Sequence, residues 1–265
     1  MPDIPGTALI TGASSGIGAV FARQLAARGH ALILAARRAD RLEALATELR
    51  QQHNITAEVL TADLACLSDL ERVEHRLTNT NDLTLLINNA GFGTRGSFDQ
   101  VEFARHLGMI DVHVIATVRL THAALPGMKA RGRGAIINVS SLAGFVPRKG
   151  SATYGATKAY LNSFSQALGE ELRGAGVKVQ ALCPGFTYTE FHDTRAMEGF
   201  SRSEIPKMFW MSAEEVVAHS LAALERNQVI CIPGLRNRVL KVATQNRGIL
   251  SALLAWRRRR SQKRI

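Results

Sequence analysis

The sequence predicts a single α/β domain built on a doubly wound parallel sheet of about seven strands, with helices on both faces. Seven apolar runs of strand length recur along the 265 residues, separated by longer segments whose apolar residues are three and four positions apart. Continuous apolar runs are typical of parallel strands that are buried on both faces. The connectors are short and no linker rich in proline, glycine or serine divides the chain, so we expect one domain although the length would allow two.

Strands and helices alternate from the N-terminus. The segment after the first apolar run carries an apolar stripe at helical spacing from Ala19 to Ala26, and the next such segment carries one from Leu42 to Leu49. These stripes predict amphipathic helices that pack against the sheet. The strands are expected at Ala8–Ile10, Ala31–Ala36, Ala57–Leu60, Leu83–Ile87, Ala135–Val139, Val177–Leu182 and Val229–Ile232.

One segment breaks this alternation. From Glu190 to Ser212 the apolar residues follow no clean period, and the segment comes soon after the sixth strand. That position lies at the carboxyl edge of a parallel sheet, where ligands bind. We therefore favour a mobile apolar lid over the binding site, and the alternative is an irregular helical pair packed as ordinary core. The apolar residues are Phe191, Met197, Phe200, Met208, Phe209, Trp210 and Met211.

The positive charge is concentrated at the C-terminus. The chain carries 33 Lys and Arg against 22 Asp and Glu, a net charge of +11. Ten of the basic residues and none of the acidic ones lie in residues 236–265, so residues 1–235 have a net charge of only +1. Because nucleic-acid-binding domains usually carry a basic patch on the fold itself, we expect no nucleic-acid partner. We divide the chain into a domain of residues 1–235 and a basic extension of residues 236–265.

The three cysteines indicate a reducing compartment. Cys66, Cys183 and Cys231 are widely spaced and odd in number, and no cluster of Cys and His suggests a metal site. We expect reduced thiols in a cytoplasmic protein. The N-terminus has no signal-peptide pattern, and no apolar stretch reaches the roughly 18 residues that a membrane span needs.

A glycine-rich loop, Thr11–Gly18, joins the first strand to the first helix. Its glycines allow a tight turn and a close approach of the backbone to a pyrophosphate, while the helix N-terminus offers unpaired N–H groups and a partial positive charge. The strand before and the helix after it favour a dinucleotide site over a glycine-rich turn without a ligand. The residues assigned to it are Gly12, Ser14, Ser15, Gly16, Ile17 and Gly18.

The end of the second strand indicates which dinucleotide binds. An NAD site usually has an acidic residue there that binds the ribose 2′-hydroxyl. This chain has Arg37 and Arg38 instead, and the nearest acid, Asp40, falls in the next helix. Arg37 or Arg38 can pair with a 2′-phosphate, and the hydroxyl of Ser14 or Ser15 can donate a further hydrogen bond to it. We therefore expect NADP(H) in preference to NAD(H); the alternative is that both arginines are solvated residues at the start of the helix.

A Tyr and a Lys four positions apart predict the catalytic groups. Tyr154 and Lys158 lie on one face of a predicted helix. The charge of Lys158, together with a nearby positive nicotinamide, is expected to lower the pKa of Tyr154 so that it exchanges a proton near neutral pH. Ser141 follows the fifth strand and so reaches the same carboxyl edge, where its hydroxyl can bind the substrate oxygen.

These patterns together resemble the short-chain dehydrogenase/reductase family in its NADP(H)-dependent form. The resemblance covers about residues 5–235, with the motifs in the family's order and spacing. It implies a Rossmann-type fold and an oxidoreductase that interconverts an alcohol and a carbonyl. It rests on Thr11–Gly18, Asp63-Leu64, Asn88–Gly91, Asn138–Ser141, Tyr154 with Lys158, and Pro184-Gly185 with Thr187 and Thr189.

The resemblance also implies roles for single residues. Asp63 would bind the adenine amino group, and Lys158 would bind the nicotinamide ribose as well as assist Tyr154. Thr187 and Thr189 would orient the carboxamide. The full set implied for cofactor binding beyond the loop and the arginines is Asp63, Leu64, Asn89, Ala90, Gly91, Lys158, Pro184, Gly185, Thr187 and Thr189.

One position departs from the family pattern. A helix Asn usually stands where this chain has His113, and it links the catalytic Lys to solvent as a proton relay. A His can also donate and accept hydrogen bonds, and it titrates near neutral pH. His113 is therefore a candidate catalytic residue that keeps the relay and adds pH sensitivity between about pH 5.5 and 7.5. The alternative is a buried histidine with satisfied hydrogen bonds, with the relay rerouted or lost.

The extension predicts a basic amphipathic helix. Apolar residues recur at helical spacing from Val239 to Trp256, mostly off the line of the basic residues, and a run of four arginines follows. Such helices favour anionic membrane surfaces, so residues 239–265 are a candidate membrane contact. The alternatives are packing on the domain or on a second subunit, and a solvated terminus. Family resemblance implies a homodimer or homotetramer.

The function expected from all of this is NADP(H)-dependent reduction of a carbonyl, or the reverse oxidation of an alcohol, on an apolar or lipid-like substrate. Tyr154 would act as acid and base with the help of Ser141 and Lys158. An alternative class keeps the fold as a cofactor-sensing or membrane-recruited binding protein with little catalysis. Intact Ser141, Tyr154 and Lys158 favour the enzyme.

Overall fold

The computed structural model describes residues 5–193 and 200–245. Seven parallel strands form its central sheet in the order β3-β2-β1-β4-β5-β6-β9, which confirms the predicted sheet. A separate small parallel sheet pairs β7 (Phe186–Tyr188) with β8 (Trp210–Ser212). The central strands are β1 (Thr7–Thr11), β2 (Ala31–Ala36), β3 (Ala57–Thr61), β4 (Leu83–Asn88), β5 (Gly134–Val139), β6 (Val177–Leu182) and β9 (Ile230–Cys231).

Helices cover both faces of the sheet. A π-helical turn, Asp111–Ile115, connects the fourth helix to the fifth. The α-helices are α1 (Gly16–Ala26), α2 (Ala39–His53), α3 (Leu67–Thr78), α4 (Phe103–Ile110), α5 (Ala116–Ala130), α6 (Ala152–Glu171), α7 (Ala213–Glu225) and α8 (Leu235–Gln245).

The apolar side chains form two core clusters, one on each face. Successive residues of a strand point to opposite faces, so Ala8 and Ile10 of β1 join one cluster while Leu9 joins the other. The first cluster packs against α1, α2 and α7, and the second against α3, α5 and α6. This explains why the strands are continuously apolar: β1 is buried on both sides.

The strand order places a binding site beside β1. Its two neighbours in the sheet are β2 and β4, so the chain turns to one side after β1 and to the other side before β4. Connections that leave in opposite directions open a crevice at the carboxyl ends of the strands. The loop after β1 and the residues after β4 border this crevice, as predicted.

The segment predicted as a lid contains no pair of helices in its described part. Three short 3₁₀ turns lead into β8: Glu190–Asp193, Arg202–Glu204 and Lys207–Phe209. Tyr188 stacks on the buried ring of Trp210 with centroids 4.8 Å apart, and His192 lies 5.2 Å from the same ring. An aromatic cluster therefore holds this segment together. Met197 falls outside the described residues, and motion of the segment stays a prediction.

The C-terminal extension is described only up to residue 245. Helix α8 begins at Leu235, four residues before the predicted start, while Trp256 and the run of arginines lie outside the described residues. Over the described ranges, no helix is both long and apolar enough to cross a bilayer.

Removing a buried ring from the first core cluster should destabilise the fold. Phe21 on α1 is fully buried against the sheet. The substitution Phe21→Ala leaves a cavity, so we expect the free energy of unfolding to fall by about 3–5 kcal/mol. Phe103→Ala, at a ring that is 67% exposed, is the matched control and should change it little. Equal effects of the two substitutions in urea unfolding would contradict this packing.

Candidate active site

A cavity of about 1570 Å³ opens at the carboxyl edge of the sheet. It brings together residues that the chain carries far apart, from the loop after β1 to the segment after β6. Every predicted site residue lines it except Gly18 and His113. The predicted catalytic and cofactor residues therefore converge on one cavity.

The glycine loop needs its glycines for two reasons, backbone conformation and close packing. Gly12 and Gly16 have φ of +66° and +55°, in the left-handed region that side chains disfavour. At Gly18 a side-chain carbon would lie 2.5 Å from the carbonyl oxygen of Gly12. Helix α1 begins at Gly16, and its N-cap Ser15 makes no side-chain capping bond. The N–H groups of the first turn are thus available for an anion, which fits a pyrophosphate.

Polar contacts join the loop to the end of β4. The Thr11 hydroxyl accepts hydrogen bonds from the backbone N–H groups of Asn89 and Ala90, at 2.9 and 3.0 Å. The Asn89 amide donates to the carbonyl oxygens of Thr11 and Gly12. Side chains at these positions therefore set the distance between the two strand ends that border the crevice.

The two predicted arginines behave differently. Arg38 donates to the hydroxyls of Ser14 and Ser15, at 3.0 and 2.7 Å, so it is held beside the glycine loop. Arg37 is 74% exposed, and its guanidinium lies 3.8 Å from the carboxylate of Asp63. The contacts of Arg38 with the loop serines fit the predicted recognition of a 2′-phosphate.

Two further charged residues complete this corner, and sequence reasoning missed both. The Glu190 carboxylate accepts hydrogen bonds from Arg38 at 3.0 Å and from Arg41 at 2.7 Å. These two arginines hold the pKa of Glu190 below its ordinary value. Arg41 lies three residues after Arg38 on α2, a spacing that the sequence does show. Glu190 has no such signal, because 152 residues separate it from Arg38.

Helix α6 presents Tyr154 and Lys158 to the cavity one turn apart, as predicted. The Lys158 ammonium donates to the carbonyl oxygen of Val139 at the end of β5, at 2.8 Å. In turn, the Ser140 hydroxyl donates to the main-chain carbonyl of Lys158, at 2.8 Å. The side chain of Lys158 is buried, and burial lowers its pKa to about 7.

The predicted shift of the tyrosine is wrong in direction for the cofactor-free protein. Burial raises the pKa of Tyr154, and a hydrogen bond with Ser141 only partly opposes it. The Lys158 ammonium lies 5.7 Å from the centre of the Tyr154 ring and makes its hydrogen bond to Val139 instead. Tyr154 is therefore a protonated phenol here, and Ser141, which lines the same cavity, is in contact with it.

His113 lies in the π-helical turn, behind the cavity wall. Its Nε2 accepts a hydrogen bond from the N–H of Phe92, and its Nδ1 donates to the Thr157 hydroxyl. The Thr157 hydroxyl in turn donates a hydrogen bond to the carbonyl oxygen of Tyr154. Burial, and secondarily the charge of Lys158, hold the pKa of His113 well below its ordinary value. The predicted titration near neutral pH is therefore wrong, and the contacts favour the alternative of a buried histidine.

The segment after β6 forms the opposite wall. The buried Thr187 hydroxyl donates to the carbonyl oxygen of Gly185, and the Thr189 hydroxyl accepts from the N–H of Phe191. A side-chain carbon at Gly185 would lie 2.7 Å from Asn237 of α8. Asn237, Leu240 and Thr244 also line the cavity. The first part of the predicted extension thus forms one wall of the site.

The buried lysine should make stability depend on pH. Between pH 7 and 10.5 the unfolded chain keeps the Lys158 proton that the folded chain has lost, so the unfolding free energy rises with pH. From about pH 7 to 8.5, below the range where thiols ionise fully, we expect a gain of about 1–2 kcal/mol. Lys158→Met should remove this rise, whereas Lys129→Met, at an exposed lysine, should keep it. A flat profile for the unsubstituted protein in urea unfolding would contradict the lowered pKa of Lys158.

Comparison with known proteins agrees with this geometry. Residues 6–198 match the family described as short chain dehydrogenase. An uncharacterized oxidoreductase of Myxococcus xanthus is 37% identical over 212 residues, which cover 80% of each protein.

Two solved structures extend the likeness to most of the fold. A short-chain dehydrogenase from Sphingobium yanoikuyae in complex with NADPH is 40% identical, with a TM-score of 0.83 over 94% of this chain and 96% of that one. A bulky-bulky ketone specific alcohol dehydrogenase from Comamonas testosteroni is 35% identical, with a TM-score of 0.79 over 94% of each chain. By its sequence, its sheet and its similarity to these proteins, the chain belongs to the short-chain dehydrogenase/reductase family of oxidoreductases.

Proposed function

We propose that the protein is an NADP(H)-dependent enzyme that interconverts a bulky, apolar ketone or aldehyde and its alcohol. One observation carries the proposal: Ser141, Tyr154 and Lys158 line the same cavity as the glycine loop. A binding protein without turnover has no need for a phenol, a hydroxyl and a buried ammonium at one point, so the sensor alternative is the weaker one.

The residues of the cavity fit a phosphorylated dinucleotide. The open N-terminus of α1 suits the pyrophosphate, and Arg38 with Ser14 and Ser15 suits the 2′-phosphate. Asp63, half exposed at the rim, would bind the adenine amino group. Lys158 would hold the nicotinamide ribose, and Thr187 and Thr189 the carboxamide. The NADPH complex of the Sphingobium yanoikuyae relative supports this choice of cofactor.

The protein's own groups supply the proton and position the substrate. When bound in this cavity, NADPH would supply the hydride that a carbonyl carbon accepts. The Tyr154 phenol donates its proton to the carbonyl oxygen, while the Ser141 hydroxyl donates a hydrogen bond to the same oxygen. Burial raises the pKa of Tyr154 and so keeps the phenol protonated before the proton is transferred. A protonated Lys158 nearby stabilises the negative charge that then develops on the phenol, and burial strengthens this interaction.

Aromatic walls favour an apolar substrate. Phe191 lies beside Tyr154 with ring centroids 5.9 Å apart, and Phe200 and Phe209 line the same cavity. Leu240 of α8 adds an aliphatic surface. The Comamonas testosteroni relative is described as bulky-bulky ketone specific, which supports a substrate of this kind.

Removing the phenolic hydroxyl should separate catalysis from cofactor binding. In Tyr154→Phe we expect the turnover of a carbonyl substrate to fall by at least about 10²-fold, the scale of general acid catalysis, with NADPH affinity unchanged. Tyr160→Phe is the matched control, because this tyrosine lies on the same helix but is exposed and stacks on Phe164.

The measurement is NADPH oxidation against small ketones, quinones, steroids and 3-oxoacyl thioesters, with NADPH binding followed by calorimetry. Turnover that survives in Tyr154→Phe would refute the mechanism. Binding of NADPH by the unsubstituted protein without turnover of any substrate would favour the cofactor sensor instead.

We also propose that this is a cytoplasmic enzyme whose C-terminal extension contacts anionic membrane surfaces. Two apolar residues of the described part of this extension, Val239 and Val242, are 60% and 58% exposed. The extension carries ten basic residues and no acidic one, a charge pattern that anionic headgroups attract. A homodimer or homotetramer that covers the same apolar residues is the competing use of this surface.

Truncation tests the membrane contact. A chain that ends at Gln245 keeps the cavity wall formed by α8 and loses seven of the extension's ten basic residues. We expect the full chain to co-sediment with phosphatidylserine-containing vesicles at physiological salt and the truncated chain to stay in solution, because basic residues near an anionic surface each add to binding. Neutral phosphatidylcholine vesicles are the control. Equal sedimentation of both chains would end the proposal.

A further inference from the structure

Glu190 places a carboxylate at the corner of the cavity that we assign to the 2′-phosphate. It accepts hydrogen bonds from Arg38 at 3.0 Å and from Arg41 at 2.7 Å. The same Arg38 contacts the hydroxyls of Ser14 and Ser15 on the glycine loop. Arg38, directly before α2, and Arg41, within it, thus already hold an anionic group supplied by the protein itself.

This carboxylate is not anchored by the fold. Glu190 and both of its arginine partners have side chains that are 41% to 50% exposed, and ion pairs of this kind add little stability. Glu190 opens a short 3₁₀ turn rather than a strand or a long helix. An anion that binds the arginines more strongly can therefore displace it at small cost.

A phosphate monoester is such an anion. At neutral pH it carries more negative charge than a carboxylate and has three acceptor oxygens, and arginine binds it in a bidentate manner. A ribose that carries only a 2′-hydroxyl presents no anion, so it leaves Glu190 in place on Arg38 and Arg41. The two forms of the cofactor therefore meet different competition at this corner.

We propose that Glu190 competes with the 2′-phosphate of NADP(H) for Arg38 and Arg41, and so limits how strongly the enzyme prefers NADP(H) to NAD(H). The inference rests on the proposed cofactor. It assigns to Glu190 a role in cofactor specificity, in which the residue neutralises the arginines when the phosphate is absent and yields them when it is present.

Nucleotide binding tests the proposal better than activity. Phe191, the next residue, lies beside the catalytic Tyr154, so a substitution at Glu190 can alter turnover by a second route. Two probes without a nicotinamide avoid this difficulty: adenosine 2′,5′-bisphosphate carries the 2′-phosphate, and 5′-AMP lacks it. Calorimetry gives the affinity of both for each variant.

In Glu190→Gln we expect adenosine 2′,5′-bisphosphate to bind roughly three- to tenfold more tightly, a range set by the loss of two half-exposed ion pairs. The affinity for 5′-AMP should stay unchanged, which also shows that the variant is folded. Glu204→Gln is the charge control, because this glutamate lines the same cavity and pairs with a different arginine, Arg95. It should leave both affinities as they are.

The outcomes separate the two proposals. An unchanged ratio of the two affinities in Glu190→Gln overturns the role of Glu190 and leaves the cofactor assignment intact. An equal gain in Glu204→Gln also overturns it, since the effect would then come from net charge alone. A protein that binds neither probe overturns the proposed cofactor, and this inference with it.

Discussion

The buried ammonium of Lys158 is the constraint on which the rest of the site depends. Its hydrogen bond to the carbonyl oxygen of Val139 connects α6 to the end of β5. A second hydrogen bond, from the Ser140 hydroxyl to the main-chain carbonyl of Lys158, connects the same two elements. The next loop must pass close by: a side chain at Gly144 would lie 2.7 Å from the Lys158 backbone. Because α6 is held in this way, Tyr154, one turn earlier, is fixed at the cavity.

Buried polar side chains behind the cavity extend this arrangement across the sheet. Asn88 at the end of β4 donates to Asn138 on β5 and to Thr121 on α5, and Asn138 donates to Ser165 on α6. Strands that are otherwise apolar therefore end in hydrogen-bonded residues. Buried polar groups need specific partners, so this network aligns the strand ends more narrowly than apolar packing alone.

Much of the fold was predictable because parallel strands leave a strong pattern, and the predicted Val177–Leu182 strand has the same bounds in the structure. The glycine loop, the two arginines and Ser141, Tyr154 and Lys158 followed from strand ends and helical spacing, whereas the other cofactor residues followed from the family resemblance. What escaped prediction depends on tertiary placement. The depth at which Tyr154 is buried, which sets the direction of its pKa shift, has no local signal. The contact of Glu190 with Arg38 and the close approach of Asn237 to Gly185 also leave no local signal in the sequence.

The strand order also bears on how the chain is made. β1, the first of these seven strands along the chain, lies inside the sheet; β2 and β3 add outward on one side of it, and β4, β5, β6 and β9 add outward on the other. Each new strand therefore meets a free edge, and none has to insert between two strands that are already paired. The sheet can grow in the order in which the ribosome releases it, with incomplete chains burying apolar surface as they lengthen. Until the outer strands β3 and β9 have paired, the strands inside them present unpaired edges, and a nascent chain has to keep these edges from pairing with other chains.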